Sequence, residues 1–421
     1  MTATVTRTPA RGTLPEKHLV TTSPNPLQDA GARRPRVALY SHDALGLGHI
    51  RRNLAIARAL GTDGSHPDIL LLTGAPGAVT ADRPDNCDLV SLPGLAKDSD
   101  GHYGARHLSV SGEHIAEMRR SILTAALTSF RPDVLIVDKH PRGFRGELEP
   151  ALDALRAAGT RIVLGLRDVL DDEATARREW RRDDSTTALD RWYHQVWVYG
   201  DRRVLDIAAQ LRLPHHWRHR TIHTGYLALG RIPAEPTFVS RVQNPYVLAM
   251  VGGGSDGLQL AEAFVGSRMP AGHHGVLVTG PQMPKDQVHA LVEHAATRDD
   301  LTVRTYVTDP EALLANAAAV VSMGGYNTVC EAMALGSKLL VVPRVRPRRE
   351  QLVRAELLTA AGLLDHLVPD DLTCNSLSDW LQTAVDTDAE RRPCDVDLDG
   401  LRRLPHLLTA LTTTKEHGHV A

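Results

Sequence analysis

The sequence predicts an α/β protein built from two doubly wound domains, each a mainly parallel sheet flanked by helices. Three observations predict it. Short apolar runs alternate with amphipathic helical stretches through both halves of the chain. The alternation starts afresh at Tyr246, after a proline-containing stretch with no regular period. In each half a glycine-rich turn follows an apolar run and precedes a helix, as in the first βα unit of such a sheet.

Residues 1–35 are rich in Thr, Pro, Ala and Arg and lack a periodic apolar face, so a disordered leader is expected there. The first domain, 36–229, opens with a strand over 36–41. The turn from His42 to His49 follows, then a helix with Ile50, Leu54, Ala57 and Leu60 on one face. Further strands are expected at 68–73, 87–92, 133–138, 161–166, 195–199 and 221–226, and helices over 112–129, 147–158 and about 171–193. A linker is expected over 230–244. The second domain, 245–400, has expected strands at 246–251, 275–279, 301–306, 319–323 and 338–342, with helices between them, and a last helical stretch falls at about 401–411.

With 421 residues, 42% hydrophobic and 23% charged, the chain is long enough for two cores of ordinary composition. A net charge of −2 argues against a nucleic-acid partner bound through one basic face. Cys87, Cys330, Cys374 and Cys394 show no CxxC spacing, so neither a disulfide framework nor a zinc site is expected. His215, His216 and His219 lack a carboxylate or cysteine to complete a metal set and read as surface residues. No run approaches the roughly 20 apolar residues of a membrane span, and the N-terminus has no apolar signal core. A cytoplasmic protein is therefore expected, peripheral contact with a membrane stays open, and the oligomeric state is not set by the sequence.

The most informative stretch runs from Val320 to Ala332: a buried strand, the turn Gly324-Gly325, and the opening of a helix. Glycines let the backbone approach a ligand, and the free N–H groups of the helix start favour an anion. Asn327 and Glu331, four residues apart, share one face near that mouth. A carboxylate there suits the paired hydroxyls of a ribose; the plain alternative is an ordinary βα unit with a surface carboxylate. Gly252 to Gly257 matches GxGxxG after a strand, which raises a dinucleotide dehydrogenase. That fingerprint wants an acidic residue about 20 positions on, where the chain reads Val278-Thr279-Gly280-Pro281.

The order of glycine turn, Glu331, Gly336, apolar strand, Pro343 and Glu350-Gln351 resembles the donor-nucleotide half of the GT-B glycosyltransferases, and is most similar to their MurG-like branch. The resemblance implies two Rossmann-like domains facing across a cleft, with the C-terminal helix of 401–421 returning to the first. It implies a nucleoside-diphosphate sugar as donor, with no cofactor and no metal. Glu331 then holds the ribose, and Glu350 and Gln351 contact the donor sugar or base. Gly253, Gly254 and Ser255 cradle the diphosphate with Gly324, Gly325 and Asn327, and the base lies near Tyr306 and Val307.

Gly48-His49 matches the GH pair after the first strand of many GT-B enzymes, which implies His49 as general base for an acceptor hydroxyl. A capping or acceptor-binding histidine is the other reading. Asp138, ending a strand of the same sheet, is its natural partner, unless it pairs with Arg142 or Arg145. Acceptor contacts fall to Gly48, Arg51 and His107. Of Arg344, Arg346, Arg348 and Arg349, one is placed to meet the donor diphosphate or a phosphorylated acceptor. The chain departs from the MurG pattern over 97–109 and 138–146, which argues against a lipid-linked peptidoglycan acceptor. Its alanine- and arginine-rich composition, that of a high-GC actinobacterial-like genome, points to a small-molecule acceptor in specialised-metabolite or antibiotic biosynthesis, with a glycolipid hydroxyl as the competing reading. The expected reaction is an inverting transfer from a UDP- or dTDP-sugar. A 2-epimerase on the same fold, drawing on Asp43 and Asp138, and a catalytically inactive binding protein are the alternatives.

Overall fold

The computed structural model describes residues 33–42, 48–62, 64–97, 103–231, 245–307, 310–387 and 395–413. The leader up to residue 32, Asp43 and Gly46 in the first turn, and most of the linker lie outside them. The described residues from Arg34 on form one compact unit.

Its first part comprises β1 (Arg36–Ser41), α1 (Gly48–Leu60), β2 (Asp68–Thr73), β3 (Cys87–Ser91), β4 (Leu95–Lys97), β5 (Tyr103–Ala105), α2 (Gly112–Phe130), β6 (Val134–Asp138), α3 (Glu149–Ala157), β7 (Arg161–Arg167), α4 (Glu173–Arg182), α5 (Ser185–Trp192), β8 (Gln195–Tyr199), α6 (Ile207–Gln210), α7 (His215–Arg220) and β9 (Thr221–His223). Seven of these strands form a parallel sheet in the order β3-β2-β1-β6-β7-β8-β9.

The second part comprises β10 (Tyr246–Met250), α8 (Leu258–Gly266), β11 (His274–Val278), α9 (Lys285–Ala295), β12 (Leu301–Arg304), α10 (Pro310–Ala315), β13 (Ala319–Ser322), α11 (Tyr326–Ala334), β14 (Leu339–Val341), α12 (Glu350–Ala360), β15 (Asp365–His366), α13 (Cys374–Asp386) and α14 (Gly400–Thr413). Its six strands are again parallel, ordered β12-β11-β10-β13-β14-β15. The fold is thus two doubly wound sheets.

Strands buried on both faces read as continuous apolar runs, which is why these were legible. In β1, Val37 and Leu39 face one core with Leu54 and Ile56 of α1, while Ala38 and Tyr40 face another with Leu123 and Leu127 of α2. Leu401, Leu404, Leu408 and Leu411 of α14 join the core beneath α1, and α14 also packs on β6.

Three details differ from expectation. The loop over 97–109 contains the antiparallel hairpin β4-β5. The helical stretch of 171–193 is two helices, because Asp184 between them adopts a left-handed backbone with φ 45°. The strand expected over 221–226 stops at His223, where Thr224 and Gly225 turn back to bond Val198 and Gly200 of the β8 end.

Candidate active site

In an open parallel sheet, the crevice for ligands lies beyond the carboxyl ends of the strands, where the strand order reverses. In the first sheet that point lies between β1 and β6. There α1 begins and β6 ends, so His49 and Asp138 arrive at one place. His49 Nδ1 stands 2.7 Å from Asp138 Oδ2. Arg142 and Arg145 are not involved: Arg142 pairs with Glu149 and Asp184, and Arg145 lies over the Phe144 ring.

A residue that sequence reasoning missed completes the group. Arg52, three positions after His49 and 2% exposed, pairs with the same Asp138 oxygen, and its Nη2 is 2.9 Å from His49 Nδ1. Burial alone would raise the Asp138 pKa, but Arg52 and His49 outweigh it and hold the carboxyl well below its usual range. Asp138 and Arg52 meet the same Nδ1, the one as acceptor and the other as donor; with the proton on Nδ1 and given to the nearer Asp138, Nε2 is the acceptor. His42 and His140 complete the group, with ring centroids 5.5 Å between His42 and His49 and 4.5 Å between His42 and His140. Burial, then neighbouring cationic groups, push both well below the ordinary histidine range.

The reversal in the second sheet lies between β10 and β13. The loop of Gly253, Gly254 and Ser255 follows β10, and Gly324-Gly325 follows β13, so the two glycine turns expected at a diphosphate sit side by side. Gly253 and Ser255 are exposed, while Gly254 is packed against the Thr279 carbonyl with φ 95°, a place closed to any side chain. Gly325 precedes α11, whose first turn carries Asn327 and, one turn on, Glu331.

Both face the first domain. Asn327 Nδ2 donates to Gly48 O at 2.9 Å. Glu331 is 2% exposed, and its Oε1 accepts from Arg51 Nη2 and Arg231 Nη1, both at 2.7 Å, while Oε2 is buried without a partner. Arg51, expected at the acceptor, therefore directs its guanidinium to Glu331 and to Glu311 at 3.2 Å. Tyr326 adds a third link: its hydroxyl donates to Tyr199 O at 2.8 Å and accepts from Leu227 N at 3.2 Å.

Glu350 pairs with Arg344, and Gln351 Oε1 accepts from Arg344 N at 2.8 Å. Arg348 reaches across to Asp171 at 3.1 Å and Glu179 at 2.7 Å, whereas Arg346 and Arg349 are exposed. Tyr306 is exposed and Val307 buried beside it; His107 is exposed after β5. His215, His216 and His219 are exposed on α7, where His216 pairs with Asp190. Among the described residues no group of His, Cys, Asp and Glu is placed to hold a metal ion, and no helix is long and apolar enough to cross a membrane.

This double arrangement, two switch points joined by Asn327 to Gly48 and by Glu331 to Arg51, with an anion-ready helix start on one side, has counterparts among known proteins. Residues 248–393 match the glycosyltransferase family 28 C-terminal domain. The second part of the chain thus carries a glycosyltransferase family 28 C-terminal domain. Among solved structures it is similar to the glycosyltransferase VinC in complex with dTDP, at 17% identity, covering 91% of this chain and 100% of that one with a TM-score of 0.57. It is similar to UGT2 of Phytolacca americana, complexed with UDP-2-fluoroglucose and pterostilbene, at 15% identity over 91% and 100% of the two chains, TM-score 0.57. MurG of Acinetobacter baumannii matches at 16% identity over 91% and 95%, TM-score 0.50. No match is found among curated protein sequences. The family 28 match runs from Leu248 in β10 to beyond α13, and so includes both glycine turns, Glu331 and Glu350-Gln351.

Proposed function

We propose that this glycosyltransferase moves a sugar from a UDP- or dTDP-sugar to a hydroxyl of a small-molecule or lipid-linked acceptor, with inversion at the anomeric carbon. The observation that carries the reading is the pair His49 and Asp138 at the first switch point, facing the family 28 donor domain. VinC binds dTDP and UGT2 a UDP-sugar, which supports a nucleoside diphosphate on that domain.

His49 Nε2 takes the acceptor hydroxyl proton as that oxygen bonds to the anomeric carbon. The bond from that carbon to the diphosphate oxygen breaks, and the nucleoside diphosphate leaves with the electron pair. Asp138 and Arg52 hold the imidazole in place. Negative charge on the leaving group is met by backbone N–H groups at the start of α11 and of the loop after β10, without calling on a metal. Glu331 is the ribose contact, and its free Oε2 is the oxygen a ribose hydroxyl would meet.

A thermal-shift panel of UDP, dTDP, GDP, ADP and NAD tests the donor. A nucleotide at 100 times its dissociation constant should stabilise the wild type by about 2.7 kcal/mol, and Glu331→Ala should lose the effect. Stabilisation by NAD alone, or by none of them, would sink the reading.

A further inference from the structure

At the carboxyl ends of the first sheet's strands and on α12 packed against them, the carboxylates are already paired. Asp138 holds Arg52 and His49; Asp168 holds Arg354 through two bonds of 2.7 and 2.8 Å; Asp171 and Glu179 hold Arg348; Glu350 holds Arg344. Two cations at the same strand ends are left over. Arg167 is the last residue of β7, and its Nε is buried with no hydrogen-bond partner. Lys139 follows β6 on the adjacent strand, in a left-handed backbone of φ 69° pinned by its N–H to Gly165 O at 2.8 Å. Its ammonium makes no ion pair among the described residues. The free oxygens of the neighbouring acids, Asp138 Oδ1 and Glu350 Oε2, bond to neither cation.

Two partly buried cations with no ion pair of their own are costly to keep unless something outside the chain completes them. Repulsion outweighs the acids near them. Burial, then Arg167 and Arg348, bring Lys139 down to about 8 against the pull of Glu179 and Glu350; burial, then Arg354 and Arg52, bring Arg167 down to about 10 against that of Glu350 and Asp168. A guanidinium and an ammonium at neighbouring strand ends suit the oxygens of one phosphate group.

We propose that Lys139 and Arg167 form an oxyanion subsite on the first sheet's side of the cleft, filled by a phosphate group of one of the two reactants. The inference rests on the glycosyl-transfer reading and adds to it a contact that the donor domain does not supply. The phosphate belongs either to the donor diphosphate, reached when the cleft holds it, or to an acceptor that itself carries a phosphate.

Calorimetric titration of the full chain with pyrophosphate is the test, using the wild type, Arg167→Gln, Lys139→Gln and, as a control on the exposed face of α14, Arg402→Gln. Pyrophosphate should bind the wild type, bind at least tenfold more weakly to the first two variants, and bind Arg402→Gln as it binds the wild type. With no ligand present, Arg167→Gln should unfold at the same or higher urea concentration than the wild type, because it removes an uncompensated cation; a residue needed only for packing would do the reverse. Unchanged affinity in folded Arg167→Gln and Lys139→Gln, or no binding to the wild type, overturns the proposal. Repeating the titration with saturating UDP or dTDP separates the sources: displacement assigns the subsite to the donor, simultaneous binding to the acceptor. If neither nucleotide binds while pyrophosphate still depends on Arg167, the subsite stands and the donor reading falls.

Discussion

Arg354 and Asp168 make two parallel hydrogen bonds of 2.7 and 2.8 Å between α12 of the second part and the end of β7 in the first, and neither is more than 2% exposed. The same guanidinium donates to Gly324 O at 3.1 Å, in the turn before α11. One arginine thus ties the donor-side glycine turn to the opposite sheet. Removing only one partner leaves a buried charge unanswered, so Arg354→Met should cost about 3–5 kcal/mol in urea unfolding. The double variant Arg354→Met with Asp168→Leu should recover part of the loss; a double variant as unstable as the sum of the singles would refute the pairing argument.

His49→Gln keeps the ring's approximate size and removes the proton acceptor. Turnover should fall by about 10²- to 10⁴-fold, read as nucleoside diphosphate released from UDP- or dTDP-sugars with a panel of hydroxyl acceptors, while nucleotide affinity stays as in the wild type. A loss of affinity instead of turnover would make His49 a binding residue.

Acid should weaken the fold through His42, His140 and Asp138. A histidine whose pKa is lowered by folding stabilises the native state fully above its unfolded value of about 6.5, and that stability is lost as the pH falls. A carboxyl held low acts in the same direction, contributing above its unfolded value of about 3.9 and losing that contribution below it. Urea midpoints should therefore drop from neutral pH to pH ~5, and more shallowly in the double variant His42→Gln with His140→Gln. Equal slopes would exclude the two rings as the cause.

Gly324 has φ 76°, and an added Cβ would lie 2.5 Å from Val341 Cγ1. Gly324→Ala should cost about 1–3 kcal/mol and weaken nucleotide binding by displacing the start of α11. Pairing it with Val341→Ala relieves the clash but not the backbone strain, so only part of the stability should return, as chemical denaturation would measure.

Arg51 occupies Glu331 Oε1, the oxygen a second ribose hydroxyl would reach beside the one at Oε2. Arg51→Met should therefore tighten UDP or dTDP binding, by about fivefold if the exposed half of the pair is worth about 1 kcal/mol. Weaker binding, measured calorimetrically, would instead assign Arg51 to the nucleotide.

The sheets were legible because a strand covered on both faces is apolar along its whole length, and because Gly324-Gly325 and the loop of Gly252 to Gly257 sit where such strands must turn. The hairpin β4-β5 was not: three-residue strands such as Leu95-Ala96-Lys97 carry too few positions for a period to emerge. The partner of His49 was predicted from its place at a strand end, since β1 and β6 are neighbours in a doubly wound sheet. Arg52 could have been suspected from its three-residue spacing to His49. The pairs Arg51 with Glu331 and Arg354 with Asp168 join residues 280 and 186 positions apart, and no local pattern marks which of many arginines reaches which acid.

The seat of α14 beneath α1 also bears on how the polypeptide acquires its shape during synthesis. The leucines that cover the helix bearing His49 leave the ribosome after all of the second sheet. The first sheet can assemble early, but the helix bearing His49 keeps an open apolar flank until residues 400–413, which form α14, have been made, so the amino-terminal half matures only after the carboxyl-terminal half is present.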